Sequence, residues 1–267
     1  MSNRRRRAPR KKGGLSELLG RARGGEGPTE FMPSARIAYR YRFRFLGWLL
    51  DGHVYLREAF AHALPKAIRR ELAVNERIAE VPFALRALDL PRGARVIDVG
   101  SRWSALPLEL VSLGYRVVAT DIAPFPVQGA GFEYVLADMR TPPFKQDSFD
   151  GATVVSTLEH VGIGFYDERR DTEDDIVMMN ALLQIVRPGG VLALTVPFGV
   201  SGVGRVQRSY DRDRLGRIAR GWILDQVHYF VRRGAAWIET TEAEASIADS
   251  AVQTEAVAMV RFLRPQP

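Results

Sequence analysis

Three aspartates stand at the ends of successive β-branched runs, where parallel strands commonly carry ligand-binding residues. Asp98 ends the first run, Asp121 follows 23 positions later at the end of the second, and Asp138 follows the third. A carboxylate after the second strand suits a bidentate hold on ribose hydroxyls. The pair Asp138-Met139 suits an adenine, because the carboxylate accepts from the exocyclic amine and the thioether packs on the ring. Acidic residues also cap helices that follow strands, but capping is a poor explanation for all three.

A fourth β-branched run is also followed by residues that could do chemistry, Ser156-Thr157-Leu158-Glu159-His160. An imidazole titrates near neutral pH, so His160 is the best candidate for a general base acting on a hydroxyl group. An equally weighted alternative is structural, in which His160 holds backbone or orients Glu159.

These residues need a scaffold that brings the ends of several strands together. From Gly93 onward, short β-branched runs alternate with helical stretches, which predicts right-handed βαβ crossovers and a mostly parallel sheet. The predicted strands are 94–99, 116–120, 132–137, 151–156, 191–196, 222–231 and 257–263, and the predicted helices are 105–113, 172–186 and 211–220. Residues 233–256 are rich in Ala, Glu and Thr and are interpreted as a surface helix or an insert before the last strand.

Five segments, taken as an ordered set, resemble a known family. They are VIDVGSRWS (96–104), GYRVVATDI (114–122), FEYVLADMRTPPFKQDSFD (132–150), STLEHVGIG (156–164) and LLQIVRPGGVLALTVPFG (182–199). This set is similar to class I S-adenosylmethionine-dependent methyltransferases, in particular to small-molecule enzymes of the methyltransferase-11 type. The resemblance implies an α/β, Rossmann-like, seven-stranded, mostly parallel sheet with helices on both faces and an antiparallel last strand. It also implies S-adenosyl-L-methionine as the cofactor.

The resemblance assigns roles to individual positions of the chain. The first strand end would form a glycine-rich loop, the second would hold the ribose, the third the adenine, and the fourth the methionine part and the acceptor. The implied cofactor-binding residues are Asp98, Gly100, Ser101, Arg102, Asp121, Ile122, Asp138, Met139, Ser156 and Thr157, and the implied catalytic residues are His160 and Glu159.

Two positions depart from the family pattern, since Arg102 and Ser104 stand where the family has glycine. A side chain at 102 would crowd the turn that brings backbone close to the cofactor. Two compensations are expected: Ser104 would cap the next helix, with Pro107 in its first turn, and Arg102 would pair with the cofactor's carboxylate. The departure also motivates an alternative hypothesis, a non-catalytic binding protein with the methyltransferase fold.

Positive charge is concentrated at the N-terminus. The 267-residue chain has a formal net charge of +7, and residues 1–23 alone carry nine basic residues and one acid. We predict a disordered basic tail over 1–33, an N-terminal helical cap over 34–92 and a methyltransferase domain over 93–267. The tail is interpreted as a solubilising segment, with weak contact to RNA or an anionic membrane surface as the alternative.

The predicted cap contains aromatic residues that alternate with arginines over 39–45. We interpret this pattern as a surface whose aromatic side chains pack on the main domain while the arginines face water. Base stacking and lipid binding are the alternatives.

Composition excludes or disfavours several other kinds of site. The chain has no cysteine, which excludes disulfides, thiolate metal sites and a cysteine nucleophile, and is compatible with a cytoplasmic location. No apolar run approaches the length of a transmembrane helix, and no secretory signal is predicted. The acidic residues between 167 and 175 match no metal-binding loop, and we interpret them as a helix start capped by Asp171 or Thr172, so no metal is predicted.

The predicted function is methyl transfer from S-adenosylmethionine to a small-molecule acceptor, with a saccharide or its precursor as one candidate. Methylation of nucleobase amines is disfavoured, because Ser156-Thr157-Leu158-Glu159 occupies the place of the Asn/Asp-Pro-Pro-aromatic motif of such enzymes. An RNA- or membrane-associated methyltransferase guided by the basic tail is a further hypothesis. A nicotinamide dehydrogenase fits less well because its glycine fingerprint is missing.

Overall fold

The computed structural model describes residues 75–102, 104–124, 131–165 and 171–267. The predicted basic tail and most of the predicted cap lie outside these ranges. The described helices are α1 (Arg77–Leu88), α2 (Leu106–Ser112), α3 (Asp174–Ile185), α4 (Arg212–Ile218) and α5 (Glu242–Ala245). The described strands are β1 (Arg95–Val99), β2 (Arg116–Asp121), β3 (Glu133–Leu136), β4 (Phe149–Val155), β5 (Val186–Pro197), β6 (Gly202–Val203), β7 (Arg208–Ser209), β8 (Ile223–Arg233), β9 (Ala236–Thr240) and β10 (Ala256–Leu263). None of these helices is long and apolar enough to cross a bilayer.

Eight of the described strands form one sheet in the order β3-β2-β1-β4-β5-β10-β8-β9, and β6 pairs separately with β7. Neighbouring strands from β3 to β5 are parallel, whereas β10 is antiparallel to β5 and β8, and β9 is antiparallel to β8. The predicted α/β class, the mostly parallel sheet and the antiparallel last strand are confirmed. The predicted number of strands was wrong, because the sheet has eight rather than seven.

The additional strand, β9, comes from the segment 233–256 that the sequence left open. Gly234 has a φ of +63°, a backbone conformation that glycine adopts without steric cost, and the chain folds back there from β8 into β9. β9 lies at the edge of the sheet, and most of its side chains are exposed. It therefore lacks the apolar run by which the buried strands of this sheet are recognised.

Helices cover both faces of the sheet, as predicted. On one face, α3 and α4 contribute Met178, Met179, Leu182 and Leu215 to an apolar cluster with the inner strands. On the other face, α1 and α2 contribute a second set, which consists of Phe83, Ala84, Ala87, Leu88, Leu106 and Leu110. α1 runs through Pro82 without a break and packs against β4, β5 and β10.

The strand order reverses at β1, which has β2 on one side and β4 on the other. Asp98 lies opposite Ala119 of β2 and opposite Thr153 of β4. Because the connections leave in opposite directions at such a point, a crevice forms beyond the carboxyl ends of the strands. The polar residues that follow β1, β2, β3 and β4 therefore lie along one edge of the sheet.

A cavity-forming substitution tests the central position of β5. Leu192 is completely buried in the cluster that α3 covers, so Leu192→Ala removes packed methyl groups and leaves a void. We expect the free energy of unfolding to fall by about 2–5 kcal/mol in urea titrations. Val252→Ala, at a side chain that is 79% exposed, is the control and should change it by less than about 0.5 kcal/mol. Equal effects of the two substitutions would contradict this packing.

Candidate functional site

A cavity of about 360 Å³ opens at the carboxyl ends of the parallel strands. Nine of the predicted site residues line it: Gly100, Arg102, Asp121, Ile122, Asp138, Met139, Ser156, Thr157 and His160. The other three, Asp98, Ser101 and Glu159, are buried and do not line it. The fold thus brings together residues that are as much as 60 positions apart in the sequence.

The loops after β1 and β4 approach each other too closely for any side chain at Gly100. The φ of Gly100 is +80°, and a Cβ atom there would lie 2.1 Å from the hydroxyl oxygen of Thr157. The Thr157 hydroxyl donates to the carbonyl of Val155 or Val99, at 3.0 and 3.2 Å. Glycine at position 100 is therefore a steric requirement of this wall of the cavity.

Backbone amides orient the carboxylate of Asp121. The Arg102 amide donates to Oδ2 at 3.1 Å, and the Ala123 amide donates to Oδ1 at 3.0 Å. Each carboxylate oxygen has a second lone pair, so both can still accept from a ligand diol. Tyr134 lies nearby and donates its hydroxyl to the Ala123 carbonyl; burial, followed by the charge of Asp121, raises the pKa of Tyr134 to about 12.

The two residues that replace family glycines are accommodated. Ser104 Oγ accepts a 3.0 Å hydrogen bond from the amide of Leu106, the first residue of α2, and Pro107 follows inside that first turn. Arg102 lines the cavity, and its backbone amide supports Asp121 as described above. The cavity therefore exists with both side chains in place.

Arg140 lines the cavity and was not predicted from the sequence. Its guanidinium group lies between Asp138 and Asp174, with Nη2 at 2.6 Å from Asp138 Oδ2 and Nη1 at 2.6 Å from Asp174 Oδ2. Asp174 is fully buried, whereas the side chain of Asp138 is 38% exposed. This double ion pair fixes the orientation of the Asp138 carboxylate at the rim of the cavity.

Helix α1 supplies two further residues that the sequence did not point to. Arg77 lines the cavity, and its Nε lies 3.7 Å from Oε2 of the buried Glu80, one helical turn later. The same Glu80 oxygen accepts a 2.7 Å hydrogen bond from the Ser156 hydroxyl. Ser156 has a φ of +43°, which is uncommon for a residue with a side chain, and its amide donates to Thr195 Oγ1 at 3.0 Å. Glu80 thus connects α1 to the loop after β4.

Three carboxyl groups are buried and interact electrostatically with Arg77, namely those of Glu80, Asp98 and Glu159. Burial raises the pKa of Glu80 and of Asp98 to about 7 and that of Glu159 to about 8, while the positive charge of Arg77 opposes the rise in all three. One oxygen of each group is buried without a hydrogen-bond partner among the described residues. Such orphaned acceptors are costly in a protein interior and often mark functional sites.

His160 is held in one tautomer by the backbone. Its Nδ1 lies 2.6 Å from the carbonyl oxygen of Val206, which can only accept, so Nδ1 carries the proton in the neutral ring. Nε2 then carries the lone pair of the ring, and it lies 3.8 Å from Glu159 Oε1. Burial lowers the pKa of His160, an effect that the Val206 carbonyl opposes and the Arg77 charge reinforces.

Acidic residues in the first turn of α3 are ion-pair partners of arginines. Asp174 pairs with Arg140, and the fully buried Asp175 pairs with Arg208 at 2.7 Å and with Arg214 at 2.5 Å. The helix begins at Asp174, two residues later than predicted, and Asp171 accepts from the amide of Glu173 rather than capping a helix that starts at 172. Within the described ranges, no group of His, Asp and Glu side chains could hold a metal ion.

Sequence comparisons with known proteins give two kinds of match. A family described as Caenorhabditis protein of unknown function, DUF268, matches residues 140–261. The ubiquinone biosynthesis O-methyltransferase of Xanthomonas campestris pv. campestris (strain B100) is 30% identical over 166 residues, which are 56% of this chain and 62% of that protein. The chain thus spans about six-tenths of the length of this curated relative.

Solved methyltransferase structures share the fold. An S-adenosylmethionine-dependent methyltransferase of Methanosarcina mazei has a TM-score of 0.50 at 13% identity and covers 73% of this chain and all of its own. The 1,6-didemethyltoxoflavin-N1-methyltransferase of Burkholderia thailandensis, solved with S-adenosylhomocysteine, has a TM-score of 0.50 at 15% identity. The match covers 86% of this chain and 93% of that protein. The resemblance is confirmed: this chain has the fold of a class I S-adenosylmethionine-dependent methyltransferase.

The buried carboxyl groups predict how stability depends on pH. A carboxyl group whose pKa is higher in the folded than in the unfolded state makes unfolding easier as the pH rises between the two values. Because the pKa of Glu159 rises from 4.5 to about 8, we expect the free energy of unfolding to fall from pH 5 to pH 8. Glu159→Gln should reduce that slope by roughly one proton, or about 1.4 kcal/mol per pH unit.

Urea titrations at several pH values measure this slope. Glu133→Gln, at an exposed position on β3, is the matched control and should keep the slope of the unmodified protein. A Glu159→Gln variant with an unchanged slope would show that this carboxyl group is ionised in the folded protein.

Proposed function

We propose that the chain binds S-adenosylmethionine in this cavity and transfers its methyl group to the hydroxyl group of a small molecule. The single observation that carries the proposal is the convergence of nine predicted site residues on one cavity at the point where the strand order reverses. The relative's name as an O-methyltransferase supports the transfer to oxygen. A saccharide or a precursor of one stays among the candidate acceptors.

The residues around the cavity fit the parts of this cofactor. Asp121, with both oxygens oriented by backbone amides, suits the ribose diol, and Asp138, Met139 and Ile122 suit the adenine. Gly100 lines the cavity with backbone alone, beside Thr157. The orphaned oxygens of the buried carboxyl groups suit a neighbouring positive charge, which the sulfonium and the ammonium group carry.

Arg77 is our candidate for the carboxylate of the cofactor's methionine part, alongside the Arg102 predicted from the sequence. Arg77 and His160 both line the cavity, and the charge of Arg77 lowers the pKa of His160. The Arg102 charge acts on Tyr134, beside Asp121, which is the ribose end. A carboxylate next to His160 would therefore meet Arg77 first.

The protein's contribution to the reaction is mainly to position the acceptor and to accept a proton. S-adenosylmethionine supplies a methyl group that is already activated by a sulfonium. In well-oriented cases, positioning supplies about 7–11 kcal/mol of the barrier reduction. Neutral His160 takes the proton of the acceptor hydroxyl at Nε2, which lies 3.8 Å from Oε1 of the buried Glu159.

Replacement of Asp121 tests cofactor binding. Asp121→Ala removes the acceptors for two ligand hydroxyls, and hydrogen bonds to a charged group contribute about 1.5–3 kcal/mol. We expect affinity for S-adenosylhomocysteine, measured by isothermal titration calorimetry, to fall about 10- to 100-fold. Asp213→Ala, at an exposed position of α4, is the control and should bind normally. Unchanged affinity of a folded Asp121→Ala protein would refute the ribose assignment.

Replacement of His160 separates catalysis from cofactor binding. We expect His160→Asn to lower kcat about 100-fold or more, the usual contribution of a general base, with cofactor affinity unchanged. Since burial lowers the pKa of His160, activity of the unmodified protein should persist below pH 6.5. The kcat of the variant and the pH dependence of the unmodified protein are both measured as transfer of labelled methyl groups to catechol, to a nucleotide-linked hexose and to an amine. Equal rates for the variant and the unmodified protein would leave His160 with a structural role only.

A further inference from the structure

A second and larger depression lies on the α1 face of the sheet, away from the cofactor cavity. It has a volume of about 620 Å³ and runs between α1 and the strands β8, β9 and β10; we refer to it as the α1 groove. Its apolar lining comprises Ile78, Pro82, Phe83, Phe230, Trp237 and Met259, and charged residues such as Arg86, Glu239 and Arg261 also border it.

Among the residues that the structure describes, no helix covers the α1 groove. On this face α2 packs on β2, and α1 packs on β4, β5 and β10, whereas Phe230 of β8 and Trp237 of β9 extend the apolar surface beyond α1. No described helix lies over that extension, since α4 and α5 contribute their buried side chains to the cluster on the opposite face. Ile78 is 61% exposed at its edge.

Two polar side chains along the groove, Trp237 and His228, are also informative. The Trp237 indole nitrogen is buried yet has no acceptor among the described residues. His228 packs edge-on against Phe83, with ring centroids 5.9 Å apart, and its Nδ1 lies 2.8 Å from Glu239 Oε1. These residues join α1 to the β8–β9 hairpin along the groove.

The chain outside the described residues provides an apolar segment of suitable composition. Residues 45–64 contain only three charged side chains among twenty, and their large apolar side chains include Phe45, Trp48, Tyr55 and Phe60. The part from Val54 to Leu64 has helical spacing, with Leu56, Phe60 and Leu64 on one face. An apolar stripe of this kind requires a complementary surface in a folded protein.

The described chain begins next to the groove. The first described residue is Asn75, and the groove already includes Ile78 and Ala79 in the first turn of α1. Ten residues separate Leu64 from Asn75, and such a stretch spans at most about 33–36 Å when extended. This length allows residues 45–64 to lie against the groove.

We propose that residues 45–64 of this chain dock into the α1 groove and complete the helical layer on that face of the sheet. The docked segment buries Ile78, Phe230 and Trp237 and holds α1 in place from its outer side. Because α1 carries Arg77 and Glu80, docking also fixes the end of the cofactor cavity near His160.

Because the 267-residue chain has no cysteine, introduced thiols are its only sites for a thiol-specific cross-linker. Ala59→Cys places a thiol in the segment, and Arg86→Cys places its partner at the exposed border of the groove. The control pair joins Ala59→Cys to Val177→Cys, on α3 at the opposite face, where the side chain is 41% exposed. With a short bis-maleimide, the groove pair should cross-link within one chain at least about tenfold faster than the control pair.

A substitution in the groove provides the second measurement. Ile78→Glu, introduced with the groove pair, puts a charge into the apolar lining at an exposed position and should slow cross-linking to the control rate. Equal rates for the two cysteine pairs would overturn the proposal, and so would insensitivity to Ile78→Glu. Products that join two chains at a concentration-dependent rate would also overturn it, since a second copy would then occupy the groove. None of these readouts depends on methyl transfer, so the result is independent of the proposed function.

Discussion

The reversal of strand order at β1 is the constraint on which the rest of this structure depends. Because β2 and β4 lie on opposite sides of β1, the loops that leave these strands diverge and open a crevice between them. The crevice walls nevertheless meet at one point, where Gly100 has no room for a Cβ atom against Thr157. The cavity owes its shape to this combination of diverging connections and one close contact.

Electrostatics divide the cavity into two unlike ends. At the end near Asp121 and Asp138, the carboxylates are oriented by backbone amides and by Arg140, and they are accessible to a ligand. At the other end, buried carboxyl groups with raised pKa values lie behind Arg77 and His160. The first end is suited to neutral polar groups such as those of a nucleoside. The second end is suited to a group that carries both a positive and a negative charge, such as the amino acid part of the same ligand.

Helix α1 has a larger part in the site than its position in the chain suggests. It precedes the first strand, yet it supplies Arg77 to the cavity and Glu80 to the hydrogen bond that holds Ser156 in a left-handed conformation. Its outer side forms one wall of the α1 groove. The same helix therefore belongs to the core, to the candidate site and to the surface where we place residues 45–64.

The sequence by itself determined the sheet core and the strand-end residues, because both depend on local patterns. β-branched runs define the buried strands, and an acid or hydroxyl directly after such a run must lie at the carboxyl edge. Only the tertiary structure decided that Arg77, Glu80 and Arg140 belong to the same site, since contacts between distant segments leave no periodic signal. Likewise, β9 was visible only through its pairing with β8, because an exposed edge strand needs no apolar run. The lining position of Asp121 and the burial of Asp98 and Glu159 were also decided by packing, which residue type alone does not specify.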